Sequence, residues 1–361
     1  MIPSRFVLHA ALRSFRLAAI GIAAVVALVQ VPAGAQSIAF SIFERYLEPL
    51  RQQAGIPGMS AVIVHDGEIA WRHGFGYSDL EKSIAARDDT PYLIGDLTQT
   101  FAALMLLQCE ERGTLDLDDS MPASAGLSSD GTIRQVLAHV SNTSGTEFRY
   151  DPARFARLTP VVDTCGAESA RLRVARDVFD FLAMRDSVPG RDLQDPSSIA
   201  RPSFTSAQLE QYSSALARLA VPYRVDPRTN RATRSELPPA RIDAAGGLVS
   251  SAYDLGQYDV ALHGLLLDDE SLETMWSNRT AAGTTRPTGL GWFVQTYNGQ
   301  RLVWHFGLIP DAYSSLILKV PEKKLTLILL ANSDGLSAPF NLAQGDVTKS
   351  VFALTFLRLF L

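Results

Sequence analysis

The chain has 361 residues, of which 47% are hydrophobic and 20% are charged, and its formal net charge at pH 7 is −5. A chain of this length and composition can bury a substantial core as one large domain or as two intertwined substructures. Its acidic balance argues against nucleic acid or an anionic membrane as a partner, and two cysteines are too few for a disulfide scaffold or a thiolate metal cluster.

The first 35 residues have the pattern of an export signal. An apolar run extends from Leu17 to Val31 and is followed by the small residues Ala33-Gly-Ala35. The run is preceded by three arginines: Arg5, Arg13 and Arg16. This order predicts a cleavable signal, a mature protein that begins near Gln36 without a membrane span, and a periplasmic or extracellular location. The alternative is an uncleaved anchor, although the run is shorter than the ~20 residues that a span needs.

Strands are predicted near both ends of the chain. Gly55–Gly67 is an apolar run that ends in the turn sequence Asp66-Gly67, and a second strand follows through Gly74–Tyr77. Near the other end, Arg301–Trp304 and Leu325–Ala331 are further predicted strands. The two ends of the chain are therefore expected to supply the sheet.

The middle of the chain is predicted to be mainly helical. Gln99–Arg112 is apolar on almost every side, which indicates a buried helix, and Gly113 is expected to end it. Ala167–Met184 alternates apolar and charged residues at helical spacing, with its arginines and aspartates facing outward. Two segments without periodicity, Asp186–Ser206 and Val225–Arg241, predict long surface loops.

The two cysteines, Cys109 and Cys165, are expected to be buried free thiols on helices. Export would make a Cys109–Cys165 disulfide chemically permissible, and this bridge is the alternative.

Several motifs occur along the chain. They are Tyr92–Leu104 (YLIGDLTQTFAAL), His139–Gly145 (HVSNTSG), Ala244–Ser251 (AAGGLVSS), Gly289–Val294 (GLGWFV) and Trp304–Gly307 (WHFG). The sequence and order of these motifs resemble those of the penicillin-recognising serine hydrolases, which are class C β-lactamases, D-alanyl-D-alanine carboxypeptidases and related esterases. The resemblance extends from about residue 40 to about residue 345. The resemblance implies a β-lactamase/transpeptidase-like α/β fold, with an antiparallel sheet flanked by helices. We expect a single domain over residues 36–361, with an all-helical subdomain inserted roughly over residues 115–240.

The resemblance places Asp96 and Gln99 at the two main catalytic positions of the family. Its members have a nucleophilic Ser at the first position and an activating Lys at the second, one helical turn later on the same face. Asp has no hydroxyl and Gln cannot act as a base, so we expect no acyl-enzyme. Thr98 carries a hydroxyl in the same turn, but helix geometry directs it elsewhere.

A second family motif has a proton-relaying Tyr followed by a substrate-binding Asn. By resemblance these positions are Tyr150 and Pro152, so the Tyr is kept and the Asn is lost. A competing match is Tyr212, which lacks the preceding Gly-x-x-Phe. The alternative to a proton-relay role for Tyr150 is a purely structural one, as a half-buried aromatic side chain that caps a loop. Asn142 is a speculative substitute for the missing amide.

The third family motif lies on an edge strand and corresponds to His305 and Gly307. The glycine would let a substrate carbonyl approach the backbone closely. By resemblance, the backbone N–H groups of Asp96 and Leu308 would form an oxyanion hole, which survives side-chain replacement. The alternative for His305 is a buried structural histidine whose hydrogen bonds are satisfied.

Two functions are consistent with these residues. The first is an exported non-catalytic relative that binds a peptide, a cell-wall fragment or a protein. The second is an amide or ester hydrolase with a rearranged site, in which Asp96 acts as a general base or a nucleophile with help from Tyr150 and His305. A pocket filled by Phe306 and Pro152 would favour a purely structural or protein-binding role. The sequence shows no phosphate-binding loop and no metal-ligand spacing among its histidines, so we expect no cofactor and no metal.

Overall fold

A computed structural model of the chain describes residues 33–122, 131–140, 147–240, 242–278 and 285–361. The predicted export signal, apart from its last three residues, and Asn142 lie outside the described residues. Within the described ranges, no helix is both long enough and apolar enough to cross a membrane.

Both ends of the chain contribute to one large sheet. The strands are β1 (Gly58–His65), β2 (Glu68–Asp79), β3 (Ile84–Ala85), β4 (Tyr92–Leu93), β5 (Tyr223–Val225), β6 (Ala232–Arg234), β7 (Val249–Ser250), β8 (Phe293–Tyr297), β9 (Gln300–Ile309), β10 (Tyr313–Val320) and β11 (Leu325–Ala331). Seven of them form an antiparallel sheet in the order β3-β2-β1-β11-β10-β9-β8. The pairs β4-β7 and β5-β6 form two small separate sheets.

Helices cover both faces of the sheet. They are α1 (Ala33–Gln53), α2 (Thr98–Glu111), α3 (Ile133–Leu137), α4 (Pro152–Phe155), α5 (Thr159–Thr164), α6 (Ala170–Arg173), α7 (Ser206–Ala217), α8 (Ala252–Ala261), α9 (Asp269–Trp276) and α10 (Val351–Phe360). Alternate residues of β11 point into different cores: Leu327 and Leu329 pack with α1 and α10, whereas Ile328 and Leu330 pack with α2 and α8. Burial on both faces explains why this strand is a continuous apolar run.

The first hairpin and the buried helix agree with the sequence predictions. Asp66 and Gly67 both have positive φ, 52° and 81°, as the tight turn between β1 and β2 requires. Helix α2 is buried on almost every side, and Gly113 follows it with a φ of 67° that ends the helix.

The predicted helix over Ala167–Met184 is present but differs in two respects. Helix α6 continues as a π-helix over Val174–Asp180. Arg173, which was expected to face outward, is buried and donates hydrogen bonds to the carbonyls of Val162 and Met105, both at 3.1 Å. Its guanidinium satisfies polar groups between α5 and α2, which the charge pattern alone could not indicate.

The two predicted loops contain more structure than expected. Asp186–Ser206 includes short 3-10 turns, and its residue Val188 forms a backbone bridge to Val249. Val225–Arg241 was expected to be a loop, but it contains strand β6, which pairs with β5, so this part of the inserted region is not helical.

The expectation of free thiols is wrong. Cys109 on α2 and Cys165 at the end of α5 form a disulfide, with their Cα atoms 5.9 Å apart. The two residues are 56 positions apart in the sequence, and only the packing of α5 against α2 brings them together. Thr114 lies at the same junction, where its hydroxyl shares one proton between the carbonyl oxygens of Cys109, at 3.1 Å, and Cys165, at 3.0 Å.

Replacing both cysteines with alanine should lower the free energy of unfolding by about 2–4 kcal/mol, because the bridge restricts the unfolded chain. Urea denaturation with and without a reducing agent measures this difference. Reduction should destabilise the native protein and leave the Cys109→Ala/Cys165→Ala variant unchanged. Two thiols that react with an alkylating agent in the denatured, unreduced protein would contradict the bridge.

Candidate functional site

The site begins at the 3-10 turn Gly95–Leu97, which leads directly into α2. Two glycines, Gly95 and Gly307, allow the backbone of this turn to lie directly against β9. A Cβ atom on Gly307 would lie 2.1 Å from the Ile94 carbonyl oxygen, and one on Gly95 would lie 3.1 Å from the Leu308 nitrogen. Gly95 also has a φ of 57°. A substrate carbonyl was expected to approach Gly307. In this structure the carbonyl of Ile94 lies there instead.

The backbone of β9 has an open edge next to this turn. Strand β8 pairs with β9 from Gln300 as far as Trp304. Gln300 pairs with Tyr297 across the two-residue turn between β8 and β9. In such a hairpin the closing pair is hydrogen-bonded, so every second residue of β9 from Gln300 onward directs its N–H and C=O groups towards β8. Beyond Trp304 no strand within the described residues covers that side, and the Leu308 N–H points to the open edge.

Four side chains form a directional chain of hydrogen bonds at this point. The Asp151 N–H donates to His139 Nδ1 at 3.2 Å, so the ring proton of His139 lies on Nε2. His139 Nε2 donates to Gln99 Oε1 at 2.9 Å, and Gln99 Nε2 donates to the Tyr150 hydroxyl at 3.3 Å. The Tyr150 hydroxyl in turn interacts with the Asp96 carboxylate, and hydrogen bonding between them lowers the pKa of Asp96. Every donor is oriented towards Asp96.

Burial raises the pKa of Asp96 to about 7. The hydrogen bond from Tyr150 lowers this pKa, and the negative charge of Asp243 raises it. Burial holds the pKa of Tyr150 well above 10 and the pKa of His139 well below 6.5. In this hydrogen-bond chain, Asp96 is therefore the side chain that titrates near neutral pH.

His305 lies behind this chain and is closed off from solvent. It is 1% exposed, and burial lowers its pKa to about 4. Its Nδ1 donates to the Phe306 carbonyl at 2.8 Å, while its Nε2 has no partner within the described residues. The rings of Tyr150, Phe293 and Phe306 surround it. His305 thus satisfies a backbone carbonyl on β9 with one ring nitrogen, while its other nitrogen has no partner within the described residues.

A cleft of about 400 Å³ opens beside Asp96. Its walls include Pro152, Leu308, Asp243 and Arg191. Pro152 forms part of a wall and does not fill the space. The lining does not include Gln99, Tyr150 or His305, so the predicted site is divided into Asp96, which is partly buried at the edge of the cleft, and a buried network behind it.

Other residues considered in the sequence lie elsewhere. Tyr212 is buried on α7 with its ring edge-on to Phe204. Thr98 is buried on a different face of α2 from the cleft and lines another cavity. No group of three or more His, Cys, Asp or Glu side chains in the described ranges is arranged to hold a metal ion.

Sequence reasoning missed His139, Asp243 and Arg191. His139 was noted only as part of a turn motif, and its role depends on the positive φ of 53° that turns it towards Gln99. Asp243 and Arg191 come from segments far apart in the sequence and carry no local signal.

The pKa of Asp96 predicts a pH-dependent effect on stability. A carboxyl group whose pKa is raised on folding destabilises the protein when it is ionised, and this effect grows from about pH 4 to about pH 7. We expect Asp96→Asn to be more stable than the native protein by roughly 2 kcal/mol at pH 8, since each pKa unit corresponds to about 1.4 kcal/mol and partial exposure reduces the effect.

Urea denaturation of both proteins between pH 4 and pH 8 measures this difference. Burial also raises the pKa of Asp254 to about 7, but that residue contributes equally to both proteins and cancels in the comparison. The difference should shrink towards zero at pH 4. A difference that stays constant across this range would contradict the raised pKa of Asp96.

A sequence model of the Beta-lactamase family matches residues 43–183 and 197–351. Protein flp from Staphylococcus aureus (strain MW2) is 23% identical over 312 residues, which cover 78% of this chain and 60% of that protein. Unguisins hydrolase ungD from Aspergillus violaceofuscus is 24% identical over 352 residues, which cover 81% of this chain and 61% of that protein. The chain therefore spans about 60% of the length of these curated relatives.

Solved structures share the fold. The octameric penicillin-binding protein homologue from Pyrococcus abyssi has a TM-score of 0.68 and 21% identity, over 88% of this chain and 77% of that chain. A class C β-lactamase has a TM-score of 0.66 and 17% identity, over 89% and 98% of the two chains. The family match extends over most of the sequence, and the structural matches agree with the seven-stranded sheet flanked by helices. The chain belongs to the β-lactamase family.

Proposed function

We propose that this protein is an exported, non-catalytic member of the family that binds a peptide-like ligand in the cleft beside Asp96. The observation that carries the proposal is the hydrogen-bond chain that ends at Asp96. It occupies the side chains of Gln99 and Tyr150, the positions from which a nucleophile would be activated in the family. The ligand would be a peptide, a cell-wall fragment or a segment of a protein.

The available groups do not suit acyl transfer. Such a reaction needs a nucleophile together with a base that takes its proton. Asp96 has no hydroxyl, Gln99 has no basic atom, and the hydroxyl of Thr98 is buried away from the cleft. His305 is 1% exposed, so it reaches no ligand in the cleft without a rearrangement of the surrounding aromatic rings. We therefore expect no covalent intermediate.

The charge and backbone of the cleft favour a particular ligand chemistry. Asp96, Asp243 and Arg191 all line it, so the carboxylates can accept from an ammonium group or amide N–H donors and the guanidinium can donate to a carbonyl. The open edge of β9 at Leu308 offers backbone groups that can pair with an extended peptide. A peptide-like ligand with a free amine combines both features.

The export part of the proposal is supported by the Cys109–Cys165 disulfide. Disulfides persist mainly in oxidising compartments such as the periplasm and the extracellular space. The arginine-rich and apolar N-terminal sequence has the composition of an export signal. Both features fit a protein that acts outside the cytoplasm.

A second candidate function is a hydrolase in which Asp96 acts as a general base on water. The pKa of about 7 favours it, because a general base works best with a pKa near the working pH. The relative ungD is named a hydrolase. This alternative would have to operate without His305, which does not line the cleft.

The two candidates differ in turnover. Hydrolysis of a chromogenic β-lactam and of a p-nitrophenyl ester should proceed no faster with the native protein than with Asp96→Ala or with buffer, because Asp96 carries no nucleophilic hydroxyl and its carboxylate is held by Tyr150. Asp96→Asn serves as a matched control that keeps the shape of the side chain. If the native protein hydrolyses the ester and both Asp96 variants lose that activity, the hydrolase alternative is correct and the proposal fails.

A further inference from the structure

A second cavity, of about 250 Å³, shares the wall residue Asp243 with the cleft. Nine of the residues around it are apolar: Phe101, Ala102, Met105, Val162, Ala170, Val174, Ile242, Ala244 and Leu248. The others are polar or charged: Thr98, Thr159, Asp163, Ser169, Arg171 and Asp243. Protein interiors are close-packed and leave few voids larger than a water molecule. A cavity of about 150 Å³ with apolar walls holds benzene. This cavity therefore has room for a benzyl or isobutyl group.

Two polar atoms of residues in the cavity wall lack a partner within the described residues: the Thr98 hydroxyl and Arg171 Nε. Thr98 is 4% exposed, and its hydroxyl forms no hydrogen bond with any described residue. Thr98, Phe101, Ala102 and Met105 follow the i, i+3, i+4, i+7 spacing of one helical face, and all four line the cavity. A buried hydroxyl without a partner is unfavourable. An occupant with one hydrogen-bonding atom would satisfy it.

The segment between the two spaces is short. Asp243 lines both of them, whereas Ala244 and Leu248 face the cavity and Ala245–Gly247 faces the cleft. A ligand in the cleft that reaches Asp243 therefore lies against a residue that also forms the wall of the cavity. The same segment that supplies charge to the cleft also separates it from the apolar space.

We propose that the cavity behind Asp243 is a specificity pocket for one aromatic or branched aliphatic side chain of the ligand, with Thr98 ready to bond a polar atom on that side chain. The proposal rests on the proposed function, because it places the ligand's amine in the cleft beside Asp96. It narrows the ligand class to peptides that have an apolar residue next to a free amine. Tyrosine fits best, since its ring fills the space and its hydroxyl reaches a partner.

Calorimetric titration with three dipeptide amides tests this pocket. Phenylalanyl-glycinamide should bind on the order of tenfold more tightly than alanyl-glycinamide, because its ring is buried. Tyrosyl-glycinamide should bind more tightly still. Ala102→Leu fills the cavity and should remove the preference for the aromatic amides without changing the affinity for alanyl-glycinamide. Thr98→Val should remove only the advantage of tyrosine over phenylalanine.

Asp96→Asn separates this proposal from the proposed function. It should weaken all three amides to a similar extent at pH 8, because it removes the charge that attracts their amines. Circular dichroism and urea midpoints show whether each variant is folded, and Thr98→Val provides a mild change if Ala102→Leu does not fold. An aromatic preference that persists in folded Ala102→Leu, or no preference in the native protein, overturns the specificity pocket alone. Unchanged affinity in Asp96→Asn, or no binding of any amide, overturns the proposed function and the pocket with it.

Discussion

The ionisation of one carboxylate, Asp96, sets the arrangement of this site. Asp96 is the final acceptor of a hydrogen-bond chain in which His139, Gln99 and Tyr150 all donate in the same direction. Reversing one member would place two donors or two acceptors against each other, so the chain acts as a unit. Burial disfavours the negative charge, whereas these donors and the N-terminus of α2 favour it. A pKa near neutrality reflects that balance.

The scaffold around this carboxylate depends on backbone contacts more than on side-chain chemistry. Gly95 and Gly307 allow the first turn of α2 to touch β9, and the Ser315 hydroxyl bonds the Ile94 carbonyl at 2.8 Å to hold the same contact. These backbone contacts do not depend on which side chains stand at positions 96 and 99.

Much of the fold could be predicted because its signals are local. The Asp66-Gly67 turn requires positive φ angles, and the continuous apolar run of β11 follows from burial on both faces. Long-range proximity could not be predicted. Cys109 and Cys165 meet only through helix packing, and Arg173 is buried because distant carbonyls need a donor. At the site, the assignment of Asp96 and Gln99 to the catalytic positions of the family stays a prediction, and the burial of His305, the role of His139 and the second cavity depend on tertiary contacts.

We propose that Asp96 and Gln99 leave this member of the family without acyl-transfer chemistry on an otherwise intact scaffold. The intact mass of the native protein and of Asp96→Ser/Gln99→Lys after incubation with a p-nitrophenyl ester tests this proposal. We expect one acyl group on the double variant, attached at residue 96, and no adduct on the native protein. An acyl adduct on the native protein, or none on a correctly folded double variant, would contradict it.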